Sequence, residues 1–206
     1  KPQDIEKRSF EIITAELGER TSGGHREVVK RVIHTTADFD YADSLAFSPD
    51  VIEKAKAALA AGATVVTDTN MALSGVSKVT LAKLGGKAVC LMADEQVASE
   101  AKRAVYAGSR FDGHAAKFEG PLIFAIGNAP TALIRLHELI GEGIVAPALV
   151  IGVPVGFVNV VEAKELFIGG DTPYIIARGR KGGSNVAASI VNALLYQLVH
   201  REGLLN

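Results

Sequence analysis

His34 closes a helical pattern, Val32-Ile33-His34-Thr35-Thr36-Ala37-Asp38. An imidazole can give or take a proton near neutral pH, so this residue is a candidate general acid. On a helix, Lys30, Arg31 and Asp38 fall on its face, while Val28, Val29, Val32 and Ile33 form the apolar one. The helix C-terminus favours the protonated ring; the two cations oppose it. Read from the residues alone, a capping or surface histidine is the plainer alternative. A second cluster, Arg178-Gly179-Arg180-Lys181-Gly182-Gly183-Ser184-Asn185, joins three cations to glycines that open a helix. Charge and backbone N–H donors together suit carboxylates or phosphates. A solvated basic loop is the plainer reading, and the paired glycines favour ligand contact.

Two further turns follow the same grammar, an apolar run, a glycine and then a helical pattern. They are Ile126-Gly127-Asn128-Ala129-Pro130 and Gly152-Val153-Pro154-Val155-Gly156. In the first, Asn128 suits a cap and Pro130 a first helical turn. The second is unusually apolar and continues into Phe157-Val158, so it is expected to meet an apolar ligand face or a second subunit. Thr67-Asp68-Thr69-Asn70 ends an earlier apolar run and belongs to the same rim. Asp68 there either binds a polar ligand group or caps the next helix.

Other chemistries lack their signatures. No GxxxxGK[ST] or GxGxxG string is present, which argues against a nucleotide fingerprint. His25, His114, His137 and His200 show no metal-ligand spacing, so no metal site is expected. Cys90 is the single cysteine, placed in an apolar run and read as core. The formal net charge is −1 and tryptophan is absent, which argues against a nucleic-acid partner. No apolar run approaches the length needed to span a bilayer, and the polar start Lys1-Pro2-Gln3-Asp4 does not read as a signal peptide. A cytoplasmic location is expected, with no membrane contact.

These residues need elements to hold them. Continuous apolar runs at Thr64–Thr67, Ala88–Met92, Leu122–Ile126, Ala148–Ile151 and Tyr174–Ala177 read as five strands buried on both faces. Helical patterns at Val51–Ala61, Val97–Tyr106, Thr131–Ile140, Asn159–Phe167 and Asn185–His200 alternate with them. Ser48-Pro49 reads as the cap of the first of these. Ser109–Glu119 reads as either helix or lid. Two helices, Ile5–Leu17 and Glu27–Thr36, precede the sheet. The expectation is one domain over residues 1–206: a three-layer α/β/α, flavodoxin-like, doubly wound, mainly parallel five-stranded sheet. The turns then lie at the carboxyl edge of the strands, where such sheets bind ligands.

Assembled, the strings resemble the precorrin-8X methylmutase family. They are Arg8-Ser9-Phe10, Ile33-His34, Phe47-Ser48-Pro49, Gly127-Asn128-Ala129-Pro130-Thr131-Ala132-Leu133, Pro154-Val155-Gly156-Phe157-Val158 and Arg178-Gly179-Arg180 with Gly182-Gly183-Ser184. The resemblance implies an isomerase of cobalamin biosynthesis that moves a methyl group from C-11 to C-12 of precorrin-8X or cobalt-precorrin-8. Its product is hydrogenobyrinic acid or cob(II)yrinic acid. The resemblance also implies a homodimer and no cofactor. It makes His34 the acid that protonates a ring nitrogen, and places ligand contacts on Ser9 and Arg110. The expected substrate surface adds Asp68, Asn128, Gly156, Arg178, Arg180, Gly183 and Ser184, suited to an apolar ring fringed by carboxylates. A corrinoid carrier without catalysis is the alternative that the same pocket allows.

Overall fold

The computed structural model describes residues 2–90 and 120–199. The parallel part of the sheet has five strands: β2 (Thr64–Thr67), β3 (Lys87–Cys90), β4 (Leu122–Ile126), β5 (Leu149–Gly152) and β6 (Tyr174–Ala177). Their order across the sheet is β3-β2-β4-β5-β6, the doubly wound order expected. The winding reverses between β2 and β4.

The apolar runs of β4, β5 and β6 are continuous because each of these strands feeds two cores. Val65, Ile123, Ala125, Ile151 and Ile175 enter one core, and Ile126, Val150, Tyr174 and Ile176 the other. The first core is covered by α1 (Pro2–Leu17), α2 (Gly23–Thr36), α4 (Val51–Ala60) and α9 (Ser184–Leu198). The second is covered by α7 (Pro130–Gly141) and α8 (Val160–Glu165). Helix α9 is the hub of the first layer and packs on α2, α4 and α5 (Asn70–Gly75).

The sheet has six strands rather than five. Leu45–Phe47 forms β1, antiparallel to β6, with Leu45 opposite Ala177 and Phe47 opposite Ile175. A three-residue strand carries too short an alternation to register as a pattern. Ser48 extends the pairing instead of capping α4: its N–H donates to the Tyr174 carbonyl at 3.1 Å, and its Oγ accepts from the Tyr174 N–H at 2.9 Å. Asp50 is the residue that precedes α4. Three short helices, α3 (Tyr41–Ser44), α5 and α6 (Lys78–Lys83), were not anticipated either. The expected helix Val97–Tyr106, the Ser109–Glu119 segment, His114 and His200 lie outside the described residues.

Candidate active site

His34 lies in the last turn of α2, whose buried face is Val28, Val29, Val32 and Ile33. That face fixes the helix on the core and turns His34 the other way. Its ring stacks on Phe10 of α1, with centroids 4.8 Å apart and planes 6° from parallel. The ring opens on a cleft of about 550 Å³ between α1, α2, α5 and α9. Among the described residues, neither ring nitrogen makes a hydrogen bond.

Arg31 stands one turn before His34 on the same wall. Its guanidinium packs over the rings of Phe10 at 4.5 Å and Tyr196 at 5.2 Å, and donates to Glu6 at 2.7 Å. Partial burial, then the Arg31 charge, hold the His34 pKa below its ordinary value of 6.5, while Glu6 pulls it upward. The opposite wall comes from α9, where Asn185, Ser189, Asn192 and Tyr196 recur at helical spacing. This polar stripe and Glu6 were missed in the sequence. The repeat 185, 189, 192, 196 was the available signal.

The rim turns are laced together. Asp68, 5% exposed at the end of β2, accepts from the N–H groups of Gly127 at 3.0 Å, Asn128 at 2.7 Å and Ala129 at 2.8 Å. Its carboxylate therefore crosses the place where the winding reverses and occupies the donors of the first turn. The Val153 N–H donates to the Ile126 carbonyl, and the Gly183 N–H to that of Val153. Gly156 donates to the Arg180 carbonyl at 3.1 Å. Gly183, at φ +140°, takes a conformation that favours glycine, and a Cβ at Gly182 would collide with the Val153 carbonyl. The Ser184 and Thr69 hydroxyls lie 2.8 Å apart.

The cations of the third turn differ in their partners. Arg178 forms a fork with Glu165, at 2.9 and 2.7 Å. Lys181 reaches Asp38 and Asp40, both at 2.6 Å, and so ties the turn to the segment that follows His34. The Asp38 pKa falls chiefly through the Lys181 hydrogen bond. Arg180 lies over the exposed Phe157 ring at 5.4 Å and makes no ion pair among the described residues.

Of the residues expected at the site, His34 lines the cleft. Ser9 lies on α1 beside it, its hydroxyl donating to the Ile5 carbonyl at 2.9 Å. Asn128, Gly156, Arg178, Arg180, Gly183 and Ser184 belong to the rim, and Asp68 holds its first turn. Arg110 lies outside the described residues. His25 stacks on Phe47 and His137 meets the edge of Phe167, both as structural packing. Cys90 is buried. Among the described residues no group of acids, histidines and cysteine is placed to hold a metal, and no helix is long and apolar enough to cross a membrane.

The model of the precorrin-8X methylmutase family matches residues 4–197. A cobalt-precorrin-8 methylmutase of Salmonella typhimurium is 45% identical over 208 residues, covering 96% of each chain. A precorrin-8X methylmutase of Pseudomonas aeruginosa is 38% identical, covering 93% of this chain and 94% of its own. A crystal structure of the precorrin-8X methylmutase of Thermus thermophilus aligns with a TM-score of 0.84 at 37% identity, covering 94% of this chain and 96% of that one. On these matches the chain belongs to the precorrin-8X methylmutase family.

Proposed function

We propose that this chain is an isomerase of cobalamin biosynthesis that moves a methyl group from C-11 to C-12 of precorrin-8X or cobalt-precorrin-8. Family membership supports the reaction. The observation that carries the chemistry is His34, stacked on Phe10, unpartnered at both nitrogens among the described residues, and open to the cleft.

In this reading His34 donates a proton to a ring nitrogen, and the methyl group migrates with its bonding pair. Substrate and product are isomers, so the proton must leave that nitrogen once the shift is complete. A histidine whose conjugate acid is weakened by burial and by Arg31 releases its proton readily. A carboxylate-fringed ligand brings negative charge into the cleft and favours recharging the imidazole. One positioned acid supplies roughly 100- to 10,000-fold, and selective binding of the ring conformation that precedes migration supplies more.

Arg180 is the rim cation best suited to receive a substrate carboxylate, because Arg178 and Lys181 are already held by Glu165, Asp38 and Asp40. Asn128, Gly156, Gly183 and Ser184 complete that surface, with Ser9 on the His34 side; a contact from Arg110 rests on the family resemblance alone. Asp68 contributes by fixing the first turn. The chain acts as one domain, without nucleic acid or cofactor, and as a cytoplasmic homodimer; the exposed Val155, Phe157 and Val158 support the dimer.

The test is turnover of precorrin-8X by a folded His34→Ala variant, followed by absorbance. The rate is expected to fall at least about 100-fold, the lower end for loss of a general acid, while product still binds. Undiminished conversion would refute the role of His34. Binding without conversion by the unsubstituted protein would make the chain a carrier.

A further inference from the structure

Lys164 is a buried cation that the reaction above does not use. It sits in α8, its side chain is fully buried, and its neighbour Glu165 is committed to Arg178. Among the described residues Lys164 makes no ion pair. Its Nζ instead donates to the carbonyls of Gly179 and Lys181, each at 2.8 Å. Burial pushes its pKa down to about 8, against the pull of Glu165. An ammonium without a carboxylate is an expensive group to bury.

The orientation of the peptides explains the arrangement. In a trans peptide the C=O and the following N–H point in opposite directions. With the carbonyls of Gly179 and Lys181 drawn inward, the N–H groups of Arg180 and Gly182 are turned outward. Neither donates to any described residue. They lie on the turn that opens α9, on either side of Lys181 in the chain. Two spare N–H donors on one turn at the start of a helix favour an anion.

We propose that Lys164 is a positioning residue for the substrate: it holds two peptide planes so that the N–H groups of Arg180 and Gly182 face a carboxylate of the macrocycle. The inference rests on the reading that the third turn receives those carboxylates. Lys164 touches the loop from beneath and never the ligand.

The test compares Lys164→Met, which keeps length and loses the donors, with Lys164→Gln, which keeps an amide donor. Each is assayed for KM and kcat with precorrin-8X, for product affinity by titration with hydrogenobyrinic acid, and for melting temperature. Lys164→Met is expected to raise KM and product Kd at least about tenfold, the worth of one charge-assisted hydrogen bond, with kcat at saturation nearly unchanged. Lys164→Gln falls between it and the unsubstituted protein. A purely structural lysine lowers the melting temperature and leaves KM alone. In the unsubstituted protein, hydrogenobyrinic acid should slow amide exchange across residues 178–183; this measurement decides the matter if neither variant folds. A folded Lys164→Met variant with unchanged KM and product affinity overturns the proposal, as does unaltered exchange. Turnover and product binding by the unsubstituted protein belong to the same series. Their absence sinks the isomerase reading, whereas loss of the Lys164 effect alone sinks only this one.

Discussion

At the residue scale, His34 is governed by two side chains that its helix and α1 bring to it. Burial and Arg31 disfavour the imidazolium, and Glu6 favours it. Arg31→Gln removes the cation and releases Glu6, so both changes raise the His34 pKa. A proton NMR titration of the ring should show the upward shift; a value unchanged or lower would contradict the assignment. The same imbalance links to stability. Because the folded pKa lies below the unfolded value, His34 contributes stability that is present above about pH 6.5 and lost as pH falls through the folded value. Arg31→Gln should shrink that loss. His34 was legible in the sequence because its helix is amphipathic and local. The task of Asp68 was not, because its three donors come from a turn some sixty residues later in the chain. A carboxylate after a strand reads equally well as ligand contact or cap until the second strand is placed beside it.

At the element scale, the three glycine turns were legible as turns and as the carboxyl edge of the sheet, but not as one laced unit. Only tertiary structure shows that the first is filled by Asp68, that the second supplies Val153 to the third, and that α8 supports the third through Lys164. Gly182 tests that lacing. Its missing side chain lets the third turn lie against Val153, and any Cβ there meets backbone rather than a side chain that can swing aside. Gly182→Ala should cost on the order of 1–3 kcal/mol or more, as overpacking does, and weaken product binding along with it. Thermal melting with and without hydrogenobyrinic acid measures both, and an unaltered melting temperature would show that the turns slide freely past each other. The elements missed were β1 and the short helices, all too brief for periodicity to reveal. Ser48 was misread because a serine before a proline and an apolar run resembles a cap, while its real partner, Tyr174, lies far along the chain.

At the scale of the whole molecule, the doubly wound order places a crevice between β2 and β4, where such sheets usually bind ligands. Here Asp68 bridges it, and His34 faces a cleft between helices instead. The apolar turn remains outside both: Val155 is 50% exposed, Phe157 81% and Val158 78%. A second copy of the chain is the partner we propose for it. Light scattering should give twice the 21.6 kDa mass of one chain, and Phe157→Asp should bring it to the single-chain value. A single-chain mass before substitution would remove the dimer. The placement of α9 has a consequence for how the protein comes into being. His34 is synthesised before the wall that faces it, Asn185 to Tyr196, which belongs to the final described helix. On the ribosome, a chain that has completed its sheet through β6 still carries His34 beside an open groove, with the apolar face of α2 waiting for cover. Docking of α9 buries that face and completes the cleft in one event, so cover for the apolar face and the pocket beside His34 arrive together.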